Sequence, residues 1–225
     1  MSTTENSDNN FFLKKFDICL SLFTSLNPNS YEVTKEENYF SENLSLRRKI
    51  EYLTSRTYLR QFLSLIFDIE PLKIPLYSPP AKPPQLKNGF GYVSLSHSKN
   101  GFLVGWSSLP IGVDIEQRYR KFNEFSIIQK LFSEEEKSLL KKFSKEKLRD
   151  KCLDLWVIKE ASIKLQRGSI FEDFKQWRYD DDEKTVSNLI NGEKKSINNF
   201  NFNEFKIAVA YDLNINKEKI ILCYH

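Results

Sequence analysis

Hydrophobic and polar positions change rhythm several times along this chain, and each change predicts an element. Asp17 to Phe23, inside "FFLKKFDICLSLFTSL", reads as a strand bounded by "NPNS". From about Ser41 to Phe67, Leu44, Ile50, Leu53, Leu59, Phe62, Leu63 and Ile66 recur at helical spacing, with Ser41 as the N-cap. Arg47, Arg48, Arg56 and Arg60 fall on or beside the polar side of that helix. Six prolines between Pro71 and Pro84 then forbid regular structure. "YVSLSHSKNGFLVGWSSLPIGVDIEQ" alternates like strands, the first two joined by a turn at Lys99–Gly101. Ser133 caps a helix with acids in its first turn, and a longer helix runs from about Lys145 to Gln166. "FKQWRYDDDEKTVSNL" and "FNEFKIAVAYDL" read as strands with a polar excursion between them. Each half therefore spends its residues on helix followed by strands. This predicts a disordered lead-in at 1–10 and two subdomains, 11–109 and 110–225, that switch near Pro110, without an internal sequence repeat.

Composition narrows the function classes. A chain of 225 residues can bury a sizeable core, and no apolar run approaches the roughly 20 residues of a membrane span. The opening "MSTTENSDNN" has no basic-then-apolar signal pattern, so the expected compartment is the cytoplasm. Three distant cysteines, Cys19, Cys152 and Cys223, match neither a disulfide framework nor a zinc spacing. With only two histidines, a Cys–His nucleophilic site is not expected. A formal charge of +4 favours an acidic partner or a phosphate-bearing ligand. No nucleic-acid signature is present, and the mixed charges of 141–151 read as a solvated helix face.

Three stretches carry candidate chemistry. In "IGVDIEQR", Ile111, Val113 and Ile115 share one parity and Gly112, Asp114 and Glu116 the other, so a strand buries the first set and presents the second. Two neighbouring acids on one side are either a solvated strand face or oxygen ligands for a hard cation such as Mg²⁺. "SLSHSKNG" places Ser94, Ser96 and Ser98 on one strand face and Leu95 and His97 on the other. These are either ordinary polar side chains or, with Lys99, a set of phosphate donors. In "LWVIKEASIKL", Trp156, Glu160, Ile163 and Lys164 share one helix side. Glu160 and Lys164 there form an i, i+4 pair that is either exposed or lines a cleft.

Taken in order, "SLSHS", "IGVDIE" and "WVIKEASIK", with "LFSEEEKSLL" before the last, closely resemble the 4′-phosphopantetheinyl transferases, and most of all the larger surfactin-synthetase-activating type with its Trp–x–x–Lys–Glu–Ala signature. The resemblance is carried by Tyr92 to Leu165. "AKPP" stands where the family has Gly–Lys–Pro and keeps Lys82 and Pro83. The resemblance implies an α+β fold, a monomer of two similar α/β subdomains related by a pseudo-twofold with the active site in the cleft between them. It implies transfer of the phosphopantetheine arm of coenzyme A to a serine of an apo acyl or peptidyl carrier protein, releasing adenosine 3′,5′-bisphosphate. It also implies a requirement for Mg²⁺, with Mn²⁺ able to substitute. Such carriers serve fatty-acid, polyketide or nonribosomal-peptide synthesis.

Carried onto this chain, the resemblance assigns Asp114, Glu116 and Glu160 to the metal, and Glu160 also to the proton of the incoming serine. Lys159 and Lys164 line the pyrophosphate. Ser96, His97 and Lys82 contact coenzyme A, and Arg47 and Arg48 are candidates for its 3′-phosphate. Carrier proteins are acidic, so Arg118, Lys121 and Lys130, just after the acidic strand, are candidate docking residues. Two other classes stay open at this point: a carrier-binding module without catalysis, and an Mg²⁺-dependent phosphohydrolase using water in place of the carrier serine. No membrane or nucleic-acid partner is expected.

Overall fold

The computed structural model describes residues 15–24 and 30–225, so the expected lead-in at 1–10 lies outside the described residues. Two compact units emerge. One comprises the chain up to Ser96, Asn100–Pro110 and Ile215–His225; the other comprises His97–Lys99 and Ile111–Asn214.

In the first unit, β1 (Ile18–Phe23) is followed by α1 (Lys35–Ser41) and α2 (Leu46–Phe67). The helix expected from Ser41 is thus two helices. Ser41 ends α1, its hydroxyl donating to the Asn38 carbonyl, and so cannot serve as an N-cap. Thr34 caps α1 through a reciprocal capping box with Glu37. The proline-rich stretch forms only β2 (Leu76–Tyr77) and β3 (Gln85–Leu86), a short antiparallel pair. Next come β4 (Tyr92–Ser98) and β5 (Gly101–Ser107), joined through Asn100 at φ 62°. The sheet order is C-terminal strand (Ile220–Tyr224), β1, β5, β4, with the C-terminal strand parallel to β1. The last residues therefore belong to the first unit and not, as expected, to the second. Strands are in register Ile18↔Ile220 through Leu22↔Tyr224, a pairing no local pattern encodes. Cys19, Phe23, Tyr58, Leu59, Phe62 and Val104 belong to one apolar core, with the Phe23 and Tyr58 rings stacked at 4.3 Å.

Two arginines expected on the polar side of the helix are buried. Arg60 makes a two-pronged contact with Glu37, at 2.8 and 3.0 Å, and also donates to the carbonyls of Pro71 and Ile74. Arg56 donates to the Ser78 carbonyl and lies 4.3 Å from the Tyr52 ring centre. Guanidinium groups can be buried on these terms because each donor finds an acceptor.

The second unit is a five-stranded antiparallel sheet crossed by one long helix. Its elements are β6 (Ile111–Gln117), α3 (Glu124–Leu131), α4 (Glu134–Leu140), α5 (Lys145–Leu165), β7 (Trp177–Asp180), β8 (Thr185–Asn188), β9 (Lys194–Phe202) and β10 (Phe205–Tyr211). The strand order is β6-β10-β9-β8-β7. Ser133 caps α4 with Glu136 completing the capping box. Beneath α5 the sheet offers small residues, Gly112 opposite Ala210 and Asp114 opposite Ala208. At Gly112 helix and strand nearly touch: an added Cβ would lie 1.9 Å from the Ala161 carbonyl oxygen and 2.5 Å from the Leu165 nitrogen. The face of β6 expected to be presented is therefore covered by a helix, and Asp114 is only 2% exposed. Ile111, Val113 and Ile115 are buried as expected.

Gly112→Ala sets a methyl group against backbone that cannot rotate away. The variant is expected to lose about 3 kcal/mol of stability or to open the helix–strand contact, as overpacking against rigid neighbours does. Chemical denaturation of the variant beside the natural protein reads this directly; an unchanged midpoint would show that the contact is looser than described.

Candidate active site

The close approach at Gly112 brings the functional side chains of β6 and α5 together. Two residues along the strand, Asp114 accepts a hydrogen bond from the Lys164 ammonium at 2.6 Å. One helical turn earlier on α5, Glu160 has a carboxylate oxygen 3.7 Å from the same ammonium. Farther along β6, Glu116 accepts from the Ser98 hydroxyl at 3.1 Å, and that hydroxyl in turn accepts the Gln117 N–H at 3.0 Å. Glu116 is also paired with the Arg120 guanidinium. Four of the expected site residues, Asp114, Glu116, Glu160 and Lys164, thus share one field. Beside Glu116 in register, Lys206 is neutralised by Asp154 at 2.6 Å and Asp150 at 2.9 Å, both on α5.

Crowded carboxylates in a buried place resist ionisation. Burial raises the Glu160 carboxyl first, the charge of Asp114 adds to this, and despite Lys164 the result is a pKa of about 8. Glu116 is also raised, by burial and then by Asp114, with Arg120 and the Ser98 hydrogen bond opposing. Burial alone would lower Lys164, but Asp114, Glu160 and Glu116 together raise it above its ordinary value. The donor set is all hard oxygen, with excess negative charge held in check by the chain's own cations. That chemistry suits Mg²⁺ better than a softer metal. Among the described residues, however, no three such side chains already stand grouped as metal ligands. The acids feel one another's charge while two cations hold them.

The other expected residues are placed differently. Lys159 does not join Glu160 and Asp114. It is fully buried, bonded to Glu136 at 2.8 Å and to the Phe174 carbonyl at 3.1 Å, with the Phe132 and Phe174 rings beside it. Burial lowers its pKa and Glu136 opposes the shift. Adjacent residues on a helix point about 100° apart, so Lys159 and Glu160 cannot both face the strand acids. Ser96 is buried in the first unit, whereas His97 is exposed and groups with the second. Lys82, Arg47 and Arg48 are exposed residues of the first unit, and Arg47 pairs with Glu51 at 2.9 Å. Lys121 and Lys130 are exposed; Arg118 is half-buried. Ser98, expected among candidate phosphate donors, instead donates to Glu116, and sequence reasoning does not single out Arg120 or Glu136 for the site. Only Arg120 left a local signal, an arginine four residues after an acid of the pair.

A carboxyl raised by folding stabilises the fold fully below its ordinary pKa and loses that contribution as pH climbs to the folded value. With divalent ions chelated, Tm is therefore expected to fall between about pH 5 and pH 8, and Glu160→Gln to flatten the fall. Scanning calorimetry across that range measures it. An equal slope in the variant would remove Glu160 as the cause.

Comparison with known proteins adds one finding. A model of the 4′-phosphopantetheinyl transferase superfamily matches residues 110–211, a little under half of the chain. The matched stretch holds Asp114, Glu116, Glu160 and Lys164; Lys82, Ser96 and the α2 arginines precede it. No curated protein gives a significant match. By its second unit, this chain is similar to the 4′-phosphopantetheinyl transferase superfamily.

Proposed function

We propose that the protein transfers the 4′-phosphopantetheine arm of coenzyme A to a serine hydroxyl of an apo acyl or peptidyl carrier protein, releasing adenosine 3′,5′-bisphosphate. The observation that carries this reading is the convergence of Asp114, Lys164 and Glu160 across the β6–α5 contact, inside the stretch that the superfamily model matches. The surfactin-synthetase-activating type is the version proposed, on the Trp156, Lys159, Glu160 and Ala161 signature.

In the reaction, the carrier serine oxygen bonds to the phosphorus that bears pantetheine, and the bond from that phosphorus to the bridging oxygen breaks. Glu160 takes the hydroxyl proton. Burial and the charge of Asp114 make its carboxylate more basic than an ordinary one, which favours it as the proton acceptor. Lys164 offers an ammonium, kept charged by its acidic neighbours, to the pyrophosphate oxygens, where charge builds as the bond breaks. Asp114, Glu116 and Glu160 would hold Mg²⁺, which supplies further charge stabilisation at those oxygens. Ser96, His97, Lys82, Arg47 and Arg48 are proposed contacts of coenzyme A. Lys159 is reassigned: bonded to Glu136, it fixes α4 against α5 and so orients the helix that presents Glu160. A monomer acting in the cytoplasm is proposed, with Arg118, Lys121 and Lys130 steering the acidic carrier.

Intact-mass spectrometry of an apo carrier incubated with the protein, coenzyme A and Mg²⁺ tests the reaction. One added phosphopantetheine is expected, lost on chelation and reduced at least about 100-fold in Glu160→Gln, as removal of a general base does. Hydrolysis of coenzyme A without a carrier would instead favour the phosphohydrolase. Binding of carrier and coenzyme A without transfer would favour the noncatalytic module. For docking, Lys121→Glu is expected to raise KM for carrier several-fold, more so at low salt, and to leave KM for coenzyme A unchanged. Equal effects on both would remove Lys121 from the docking face.

A further inference from the structure

Each acid of β6 is held by a cation of the chain itself. Lys164 holds Asp114 at 2.6 Å, and Arg120 holds Glu116. The two cations differ in kind. Lysine is a point charge that a buried site can strip of its proton; a guanidinium keeps its charge under all ordinary conditions. Arg120 thus remains a permanent rival for any other cation that approaches Glu116. It is also a rival with somewhere to go. Its guanidinium already lies 5.8 Å from the Trp156 ring centre and 5.4 Å from that of Phe122, a pair of faces on which a planar cation rests when its acid is taken. The backbone beneath it is pinned, because the Arg120 carbonyl accepts from Arg149 of α5 and the Arg120 N–H donates to the Gln117 carbonyl at 3.0 Å. The side chain can therefore swing while its anchor stays put, and it is 30% exposed against 15% for Glu116.

We infer that Arg120 is an exchangeable counter-ion: it neutralises Glu116 in the empty site, gives Glu116 up to the divalent cation, and then turns its fork of donors to the phosphates of the nucleotide substrate. This rests on the metal-dependent transferase reading above. It makes metal and coenzyme A bind cooperatively, because the metal releases the guanidinium that the phosphates receive, and by linkage the phosphates favour the state in which Glu116 is free. Metal alone then binds weakly, since it must displace a cation without the compensation that a phosphate provides.

Titration calorimetry of the full-length protein with Mn²⁺, with and without coenzyme A, tests this. Arg120→Gln is expected to bind Mn²⁺ alone about 10-fold more tightly than the natural protein, and to lose a similar factor from the tightening that coenzyme A produces. Arg120→Met, which keeps the aliphatic packing on Phe122 and Trp156, serves if the Gln variant fails to fold. Arg120→Lys is expected to stay close to the natural affinity. A guanidinium that merely braced the loop would give the opposite sign, so unchanged or weakened Mn²⁺ binding in the neutral variants overturns the inference while leaving the transferase reading intact. Absence of Mn²⁺ binding in every form, in protein that folds, with or without coenzyme A, overturns both.

Discussion

Everything chemical in this protein depends on how closely one helix can lie on one strand. At Gly112 the strand backbone presses against the Ala161 carbonyl and the Leu165 nitrogen at separations no side chain would permit. Such an approach puts residues two places along the strand within reach of residues on the adjoining helical turn, and so Asp114 meets Lys164 and its neighbour Glu160. The alanines opposite on β10 extend the same shallow seat. Larger residues would lift the helix and carry its acid and its base out of range, because packed interiors transmit even small changes in volume.

The second theme is the balance of charge under that helix. Burial and the charge of Asp114 raise Glu116 and Glu160, and the chain answers with cations from two directions, Lys164 from α5 and Arg120 from the segment after β6; Lys206 of β10 is taken up separately by Asp150 and Asp154. A buried charge is tolerable only when paired. The cations of the chain itself thus hold the two acids of β6, Lys164 on Asp114 and Arg120 on Glu116. Glu136, which also caps α4, and Lys159 form a separate buried pair that ties α4 to α5, with the Phe132 and Phe174 rings beside the ammonium.

Much of this was legible in the sequence, and the parts that were not share a cause. Periodicity identified β6, α4 and α5 because local alternation and helical spacing are local physics. The Ser133 cap was readable because a capping box closes over three residues. The acids, Glu160 and Lys164 stood out by spacing. Gly112, however, gave no warning, since a glycine in a strand looks alike whether it meets solvent or a helix. Arg56 and Arg60 were placed on a polar face because charge was read as exposure, when Glu37 and a set of carbonyls from the proline-rich stretch receive them inside. Lys159 stands at the pyrophosphate only by resemblance, and its bond to Glu136 on another helix leaves no local signal. What sequence hides is pairing across distance, whether by charge or by hydrogen bond.

The C-terminal strand gives this distance a temporal meaning. Ile220–Tyr224 lies parallel to β1, so the sheet of the first unit is built from the two extremes of the described chain. A ribosome releases residues in order, and the second unit, Ile111–Asn214 for the most part, has its strands and helices in hand before Ile220 is made. The first unit must wait, with one edge of β1 open, until the last strand arrives. Completion of that sheet therefore waits on residues made after the whole of the second unit, and a chain cut before Ile220 would keep the acids of the second unit while leaving one edge of β1 in the first unit unpaired, the kind of surface that recruits other chains.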